Sequence, residues 1–82
     1  MGIKFEPGVR VREGSFFVTV NWVSEARALL SHIPADRQGL LYHLTVDSML
    51  KAEEGTLSPN EAREAFWRFA DDAGILAEVR AA

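Results

Sequence analysis

The sequence of 82 residues contains no cysteine. This absence excludes disulfide bonds, thiolate nucleophiles, and zinc or iron–sulfur sites that are built on cysteine. A small chain without such links must be stabilised by side-chain packing and helix capping. The composition is compatible with the cytoplasm, and we expect a cytoplasmic location.

Long apolar runs and an excess of positive charge are also missing. No window approaches the length of a membrane-spanning helix, and the first residues lack the apolar segment of a signal peptide. Nine Lys and Arg residues stand against twelve Asp and Glu residues, which gives a net charge of −3. An acidic chain has no general attraction to a phosphate backbone. We therefore expect no membrane association, and nucleic-acid binding would require a local basic patch.

Motifs for catalysis and for phosphate binding are absent as well. The six glycines are scattered singly, and no serine lies in a Gly-x-Ser-x-Gly sequence. His32 has only Asp36 close by in sequence and His43 has only Asp47, whereas a metal ion usually needs three or four ligands. The sequence predicts a protein that is not an enzyme, with no catalytic residue, no metal site and no cofactor.

One segment alternates between apolar and polar residues, "VRVREGSFFVTV" at positions 9–20. It predicts a β-hairpin with its turn at Glu13-Gly14. In that register one face carries Val9, Val11, Phe16, Val18 and Val20, and the other carries Arg10, Arg12 and Thr19. Phe17 interrupts the pattern because it falls on the polar face. Residues 1–8 are expected to form a flexible arm, and residues 9–82 to form a single domain.

Helix-start and helix-stop residues mark three further segments. The residues able to cap a helix N-terminus are Asn21, Asp36 and Ser58. The residues able to end the helices are Pro34, Gly55 and Gly74. The third segment has the fullest signal, because Pro59 occupies its first position and Glu61 can complete a capping box with Ser58. The predicted helices run over about 22–33, 37–54 and 59–73.

The predicted fold is α+β, with an N-terminal hairpin followed by three helices. The tail "AEVRAA" is either a short third strand beside the hairpin or a frayed end, and the sequence leaves both open.

The last helix contains the pattern "AR-x-AF…A…AGI", carried by Ala62, Arg63, Ala65, Phe66, Ala70, Ala73, Gly74 and Ile75. With this pattern and this order of elements, the chain resembles the small bacterial proteins of domain-of-unknown-function family 982. The resemblance extends from about Val9 to Ile75, and the pattern of the last helix is its most specific part. Ile33 and Met49 stand where Trp and Cys are common in that family, and both look like exchanges within the core. The resemblance implies a compact α+β domain and no known activity.

The second helix carries more apolar residues than one buried face requires. Its packing stripe is predicted to consist of Leu40, Leu41, Leu44, Ser48 and Ala52, with Thr45 and Met49 at the edge. Tyr42, Val46 and Leu50 are spaced by four and lie on another side. Either this helix is central and covered on two sides, or the second set is an exposed association surface.

Two other features of the sequence each have two interpretations. Trp67 lies off the apolar stripe of the third helix, so it either packs beside Arg63 or anchors an interface. Arg10, Arg12 and Phe17 share a strand face, which is either a solvated surface or a site for a base or an acidic ligand.

The sequence therefore predicts a protein–protein interaction or adaptor domain, with self-association as one form. The predicted contact residues are Tyr42, Val46, Leu50 and Trp67. The alternative is a small nucleic-acid-associated regulator that uses Arg10, Arg12 and Phe17.

Overall fold

The computed structural model describes residues 2–77. It shows a hairpin followed by three helices, which confirms the predicted α+β class. A 3₁₀ turn at Ala35–Arg37 lies between the first two helices. The elements are β1 (Lys4–Glu13), β2 (Phe16–Trp22), α1 (Val23–Ser31), α2 (Leu40–Glu54) and α3 (Pro59–Asp72).

The hairpin turn lies at Gly14 and Ser15, one residue later than predicted. Gly14 has a φ of 60°, a left-handed conformation that glycine adopts without steric cost. Val11 pairs with Val18, so the predicted division of residues between the two faces of the sheet is confirmed.

β1 begins at Lys4, inside the stretch for which a flexible arm was expected. Phe5 is 1% exposed, and Arg63 Nε donates a hydrogen bond to the Pro7 carbonyl at 2.6 Å. The register shifts between Lys4 and Val9, so this half of β1 is irregular. Residues 4–8 are therefore part of the sheet and the core, which corrects the expected arm from Lys4 onwards.

α1 begins at Val23, and its N-terminus is held differently from the prediction. The Glu25 carboxylate accepts hydrogen bonds from the N–H groups of Asn21 at 2.8 Å and Trp22 at 3.2 Å. These groups precede the helix and would otherwise lack a partner. Glu25, rather than the predicted Asn21, therefore supplies the side-chain cap.

α2 begins at Leu40, three residues later than predicted. Asp36 lies in the separate 3₁₀ turn, and the chain then leaves helical geometry at Gln38, whose φ and ψ are −90° and 67°. The Gln38 side chain donates to the Ile33 carbonyl at 2.9 Å, which ties this connection to the end of α1. Gly39 is the N-cap and contributes no side-chain hydrogen bond.

α3 begins and ends where the sequence predicts. The Glu61 N–H donates to Ser58 Oγ at 3.1 Å, and the Ser58 N–H donates to the Glu61 carboxylate at 3.4 Å. Gly74 has a φ of 73°, and the Ile75 N–H donates to the Ala70 carbonyl at 3.0 Å. These bonds form the capping box and the Schellman-type stop.

The core lies between the hairpin and the helices. α1 packs on β2, α3 packs on β1, and α2 contacts both of these helices. The buried apolar residues are Phe5, Val9, Val11, Val20, Val23, Ala26, Leu29, Leu30, Met49, Ala52, Ala62, Phe66, Phe69 and Ala70.

The segment after α3 runs along the edge of β1 that does not pair with β2. The Arg12 N–H donates to the Ile75 carbonyl at 2.7 Å, and the Ala77 N–H donates to the Arg10 carbonyl at 2.9 Å. Leu76 and Val11 form an isolated antiparallel bridge rather than a full strand pair. The rest of the predicted tail, residues 78–82, lies outside the described residues.

Candidate functional site

α2 turns a different face to the core from the one predicted. Its buried residues are Thr45, Met49 and Ala52, and Thr45 Oγ1 donates to the Leu41 carbonyl at 2.7 Å. Leu40 and Leu44 are 76% and 53% exposed, which corrects their assignment to the packing stripe. Ala52 is buried and Leu41 packs against the core, as predicted. The prediction was wrong for Leu40 and Leu44, because contacts with both α1 and α3 set the rotation of α2.

The predicted interface residues of α2 do not share one environment. The Tyr42 hydroxyl donates to the Leu30 carbonyl at 3.2 Å, and the Tyr42 ring lies 6.1 Å from the Phe69 ring. Val46 is half-buried against the core, whereas Leu50 is exposed. Tyr42 and Val46 therefore support the packing of the chain itself, and Leu50 remains on the surface.

Trp67, the remaining predicted contact residue, lies on α3. Its side chain is half-buried against the core cluster. It lies on a different helix from Leu50, and contact between partners through these two side chains stays a prediction.

A depression of about 450 Å³ lies between the α1–α2 connection and the end of α3. Its apolar lining includes Leu40, Leu41, Phe69 and Ile75. The charged side chains at this depression belong to Arg37 and Asp72. The sequence did not predict this site, because it depends on the late start of α2 and on the return of Ile75 beneath it.

The outer face of the hairpin brings together the three residues that were assigned to the alternative function. Arg12 is the cross-strand partner of Phe17. The Arg10 guanidinium carbon lies 5.5 Å from the centre of the Phe17 ring, a cation–π contact. This contact with Arg10 partly explains how the aromatic ring of Phe17 is tolerated on the polar face.

The inner face of the hairpin is only partly covered. Phe16 is 75% exposed, although it lies on the same face as the buried Val20. Beside β2 there is a depression of about 240 Å³. Its apolar lining comes from Val18 and Val20 of the strand and from Ala28 and Leu29 of α1, and the polar residues of its lining are Glu13, Thr19, Glu25 and His32. The strand extends beyond the cover that α1 provides, so alternation alone could not distinguish Phe16 from Val20.

The two histidines do not form a metal site with their neighbours in sequence. The His43 ring stands edge-on to the Tyr42 ring, and Asp47 forms its ion pair with Lys51 at 2.9 Å. Within residues 2–77, no three His, Asp or Glu side chains converge in a way that could hold a metal ion. None of the helices in that range is long and apolar enough to cross a membrane.

The family of the chain follows from comparison with known proteins. No curated protein and no solved structure is significantly similar to the chain. One family model, described as "Protein of unknown function (DUF982)", matches residues 9–77. This range covers the hairpin from Val9 onwards, the three helices and the segment that returns to β1. The chain therefore belongs to the DUF982 family of proteins of unknown function.

Proposed function

We propose that this domain is a non-enzymatic protein–protein interaction domain that acts in the cytoplasm. The observation that carries the proposal is the exposed apolar surface beside the hairpin turn, where Phe16 is 75% exposed on the inner face and Phe17 is 59% exposed on the outer face. Val18, which is 37% exposed, extends the surface of Phe16 along the inner face of β2. Contiguous exposed apolar groups on a small domain are typical of association surfaces.

Burial against a partner is energetically favourable for the two exposed phenylalanine side chains. Burying a phenylalanine side chain contributes about 1.5–3 kcal/mol relative to leaving it in water. The fold buries Phe5, Phe66 and Phe69 but leaves both aromatic side chains next to the turn outside. A protein partner that covers them would recover this free energy.

A second apolar surface lies on α2. Leu40 and Leu44 are neighbours at a spacing of four on the exposed side of the helix. Leu40 also borders the depression with Arg37 and Asp72. The lining of this depression includes Tyr42 and Asp72 but no histidine, serine or lysine, so the residues that line it cannot form a Ser–His pair.

Site-specific photocrosslinking in cells that express the full chain would test the proposal. A benzophenone amino acid is placed at position 16 or 40, with the exposed polar residue Glu64 as the matched control position. We expect an adduct of defined mass, with this chain or with another protein, from position 16 or 40 and none from position 64. Absence of a specific adduct at both apolar positions would contradict the interaction role.

The second candidate is a small nucleic-acid-associated regulator. It is supported by the placement of Arg10, Arg12 and Phe17 on one face of the hairpin. Binding to single-stranded DNA or RNA that weakens steeply with salt and is lost in R10A/R12A would support it. Absence of binding at low salt would remove it.

A further inference from the structure

The backbone of β2 has an open edge, and its position follows from the bonds of β1. The Arg12 N–H and the Arg10 carbonyl point away from β2, because they bond to Ile75 and Ala77. In an antiparallel pair, residues whose backbone groups point outward alternate with residues that bond across the pair. Since Arg12 faces Phe17 and Arg10 faces Thr19, the backbone groups of Phe17 and Thr19 point to the free side of β2.

These backbone groups have few hydrogen-bond partners among residues 2–77. Among residues 2–77, the N–H groups of Phe17 and Thr19 and the Phe17 carbonyl make no hydrogen bond. The Thr19 carbonyl has only a 3.5 Å contact from the Asn21 side chain. The next outward N–H group along the strand, that of Asn21, is already bonded to Glu25. The open edge is therefore short and is centred on Val18.

β2 also lacks the features that normally prevent edge-to-edge pairing. Exposed edge strands are usually protected by charged side chains, proline or a bulge. The strand Phe16–Trp22 reads FFVTVNW and contains neither a charged residue nor a proline. The register shift of the hairpin lies in β1, on the opposite side of the sheet from this edge.

We infer that β2 pairs antiparallel with β2 of a second copy of this chain, with Val18 at the two-fold axis. This inference rests on the proposed interaction role and names its partner. In that register Phe17 of each copy faces Thr19 of the other, so the open donors and acceptors bond to one another. The pairing is closed and symmetric, and it leaves no further free edge at β2.

The side chains support a second copy over an unrelated extended peptide. The same register places Phe16 of one copy opposite Val20 of the other. Val20 borders the depression of about 240 Å³ between β2 and α1, together with Ala28 and Leu29. The exposed ring of Phe16 therefore enters this depression in the second copy, and the arrangement occurs twice in the dimer. Each copy supplies both the protruding side chain and the depression that receives it.

The absence of cysteine makes the register directly testable. A V18C variant carries a single thiol per chain, and residues at the two-fold axis of a non-hydrogen-bonded pair have Cα atoms about 4.5 Å apart. This distance lies within the range that a disulfide spans. We expect mild oxidation to convert most of the V18C protein into a covalent dimer. E64C places a single exposed thiol on α3, the helix that packs on β1; it is the control and is expected to remain monomeric.

Sedimentation equilibrium of T19P against T19A tests the edge bonds. Proline removes the outward N–H of residue 19 without touching the bonds to β1, whereas alanine keeps that N–H. We expect T19P to weaken self-association about tenfold or more and T19A to leave it nearly unchanged. Circular dichroism of both variants checks that the fold is retained.

Other outcomes would overturn the pairing. A chain that stays monomeric at millimolar concentration, or a dimer that neither responds to T19P nor forms the V18C disulfide, excludes it. A monomer that still photocrosslinks to another protein from position 16 or 40 would leave the interaction role standing. A monomer without any such adduct would remove both.

Discussion

The rings of Phe5 and Phe66 stack against each other with their centroids 5.9 Å apart and an angle of 29° between their planes. Both side chains are fully buried. Phe5 lies near the start of β1 and Phe66 lies in the middle of α3, so this contact joins the two ends of the chain across the core. It is reinforced by the hydrogen bond from Arg63 to the Pro7 carbonyl.

The first prediction concerns Phe5. Removing a buried phenylalanine ring leaves a cavity, and we expect F5A to lower the free energy of unfolding by about 3–5 kcal/mol. The matched control is F16A, the same substitution at a side chain that is 75% exposed, which should change stability by about 0.5 kcal/mol or less. Urea unfolding, followed by circular dichroism at a concentration where the chain is monomeric, provides the comparison. Equal losses in the two variants would contradict the buried position of Phe5.

The position of Phe5 explains why the sequence did not predict the first half of β1. The stretch "MGIKFEPG" shows no sustained alternation, and Pro7 interrupts it. Its strand structure depends on burial of Phe5 against Phe66, 61 positions further along the chain. Local pattern cannot reveal a contact of this kind. In the hairpin, by contrast, alternation placed Val9, Val11 and Val20 on one face correctly, because period-two patterning is local.

The second prediction separates the two apolar sides of α2. Met49 is fully buried in the core, and M49A should lower the free energy of unfolding by about 2–5 kcal/mol. Leu44 lies on the exposed side, and L44A should change it by about 0.5 kcal/mol or less. Thermal or urea unfolding of the two variants measures the difference. If L44A were as destabilising as M49A, the packing stripe predicted from the sequence would be right and the rotation of α2 described above would be wrong.

For the candidate sites, too, some features are determined by the local sequence and others by contacts between distant residues. The capping box of Ser58 and Glu61 was predicted because both partners lie within one turn. The grouping of Arg10, Arg12 and Phe17 followed from strand alternation. The exposure of Leu40 and Leu44 was not predicted from the sequence. When a helix is apolar on several sides, its rotation is set by its packing against neighbouring elements. The open edge of β2 also could not be predicted from the sequence, because it depends on which side of β1 forms hydrogen bonds with Ile75 and Ala77.

The third prediction concerns the end of α2. Gly55 has a φ of 83°, and a Cβ atom added there would meet nothing within 4 Å. The cost of G55A therefore comes from the left-handed backbone alone, and we expect a loss of about 1–2 kcal/mol. G55N should lose less, because asparagine tolerates this conformation better than alanine. Chemical unfolding of the two variants tests the order, and equal stability of G55A and the natural chain would contradict the left-handed stop.

The last prediction uses the unfilled cap of α2. Gly39 is the N-cap in extended conformation, with φ of −81°, and it provides no side-chain acceptor for the first N–H groups of the helix. A Cβ atom at this position would meet nothing within 4 Å, so a larger residue fits. Serine at an N-cap accepts a hydrogen bond from the second or third helical N–H, and we expect G39S to be more stable than G39A by about 1 kcal/mol.

G39A is the appropriate reference because it shares the loss of glycine's conformational freedom and differs from G39S only in the hydroxyl group. Both variants are compared by urea unfolding. Equal stability would mean that the hydroxyl group finds no helical N–H, and hence that α2 begins elsewhere. A start at residue 37, as the sequence predicts, would place position 39 inside the helix, where serine gives no capping advantage over alanine. The experiment thus determines the beginning of the helix that carries Leu40 and Leu44.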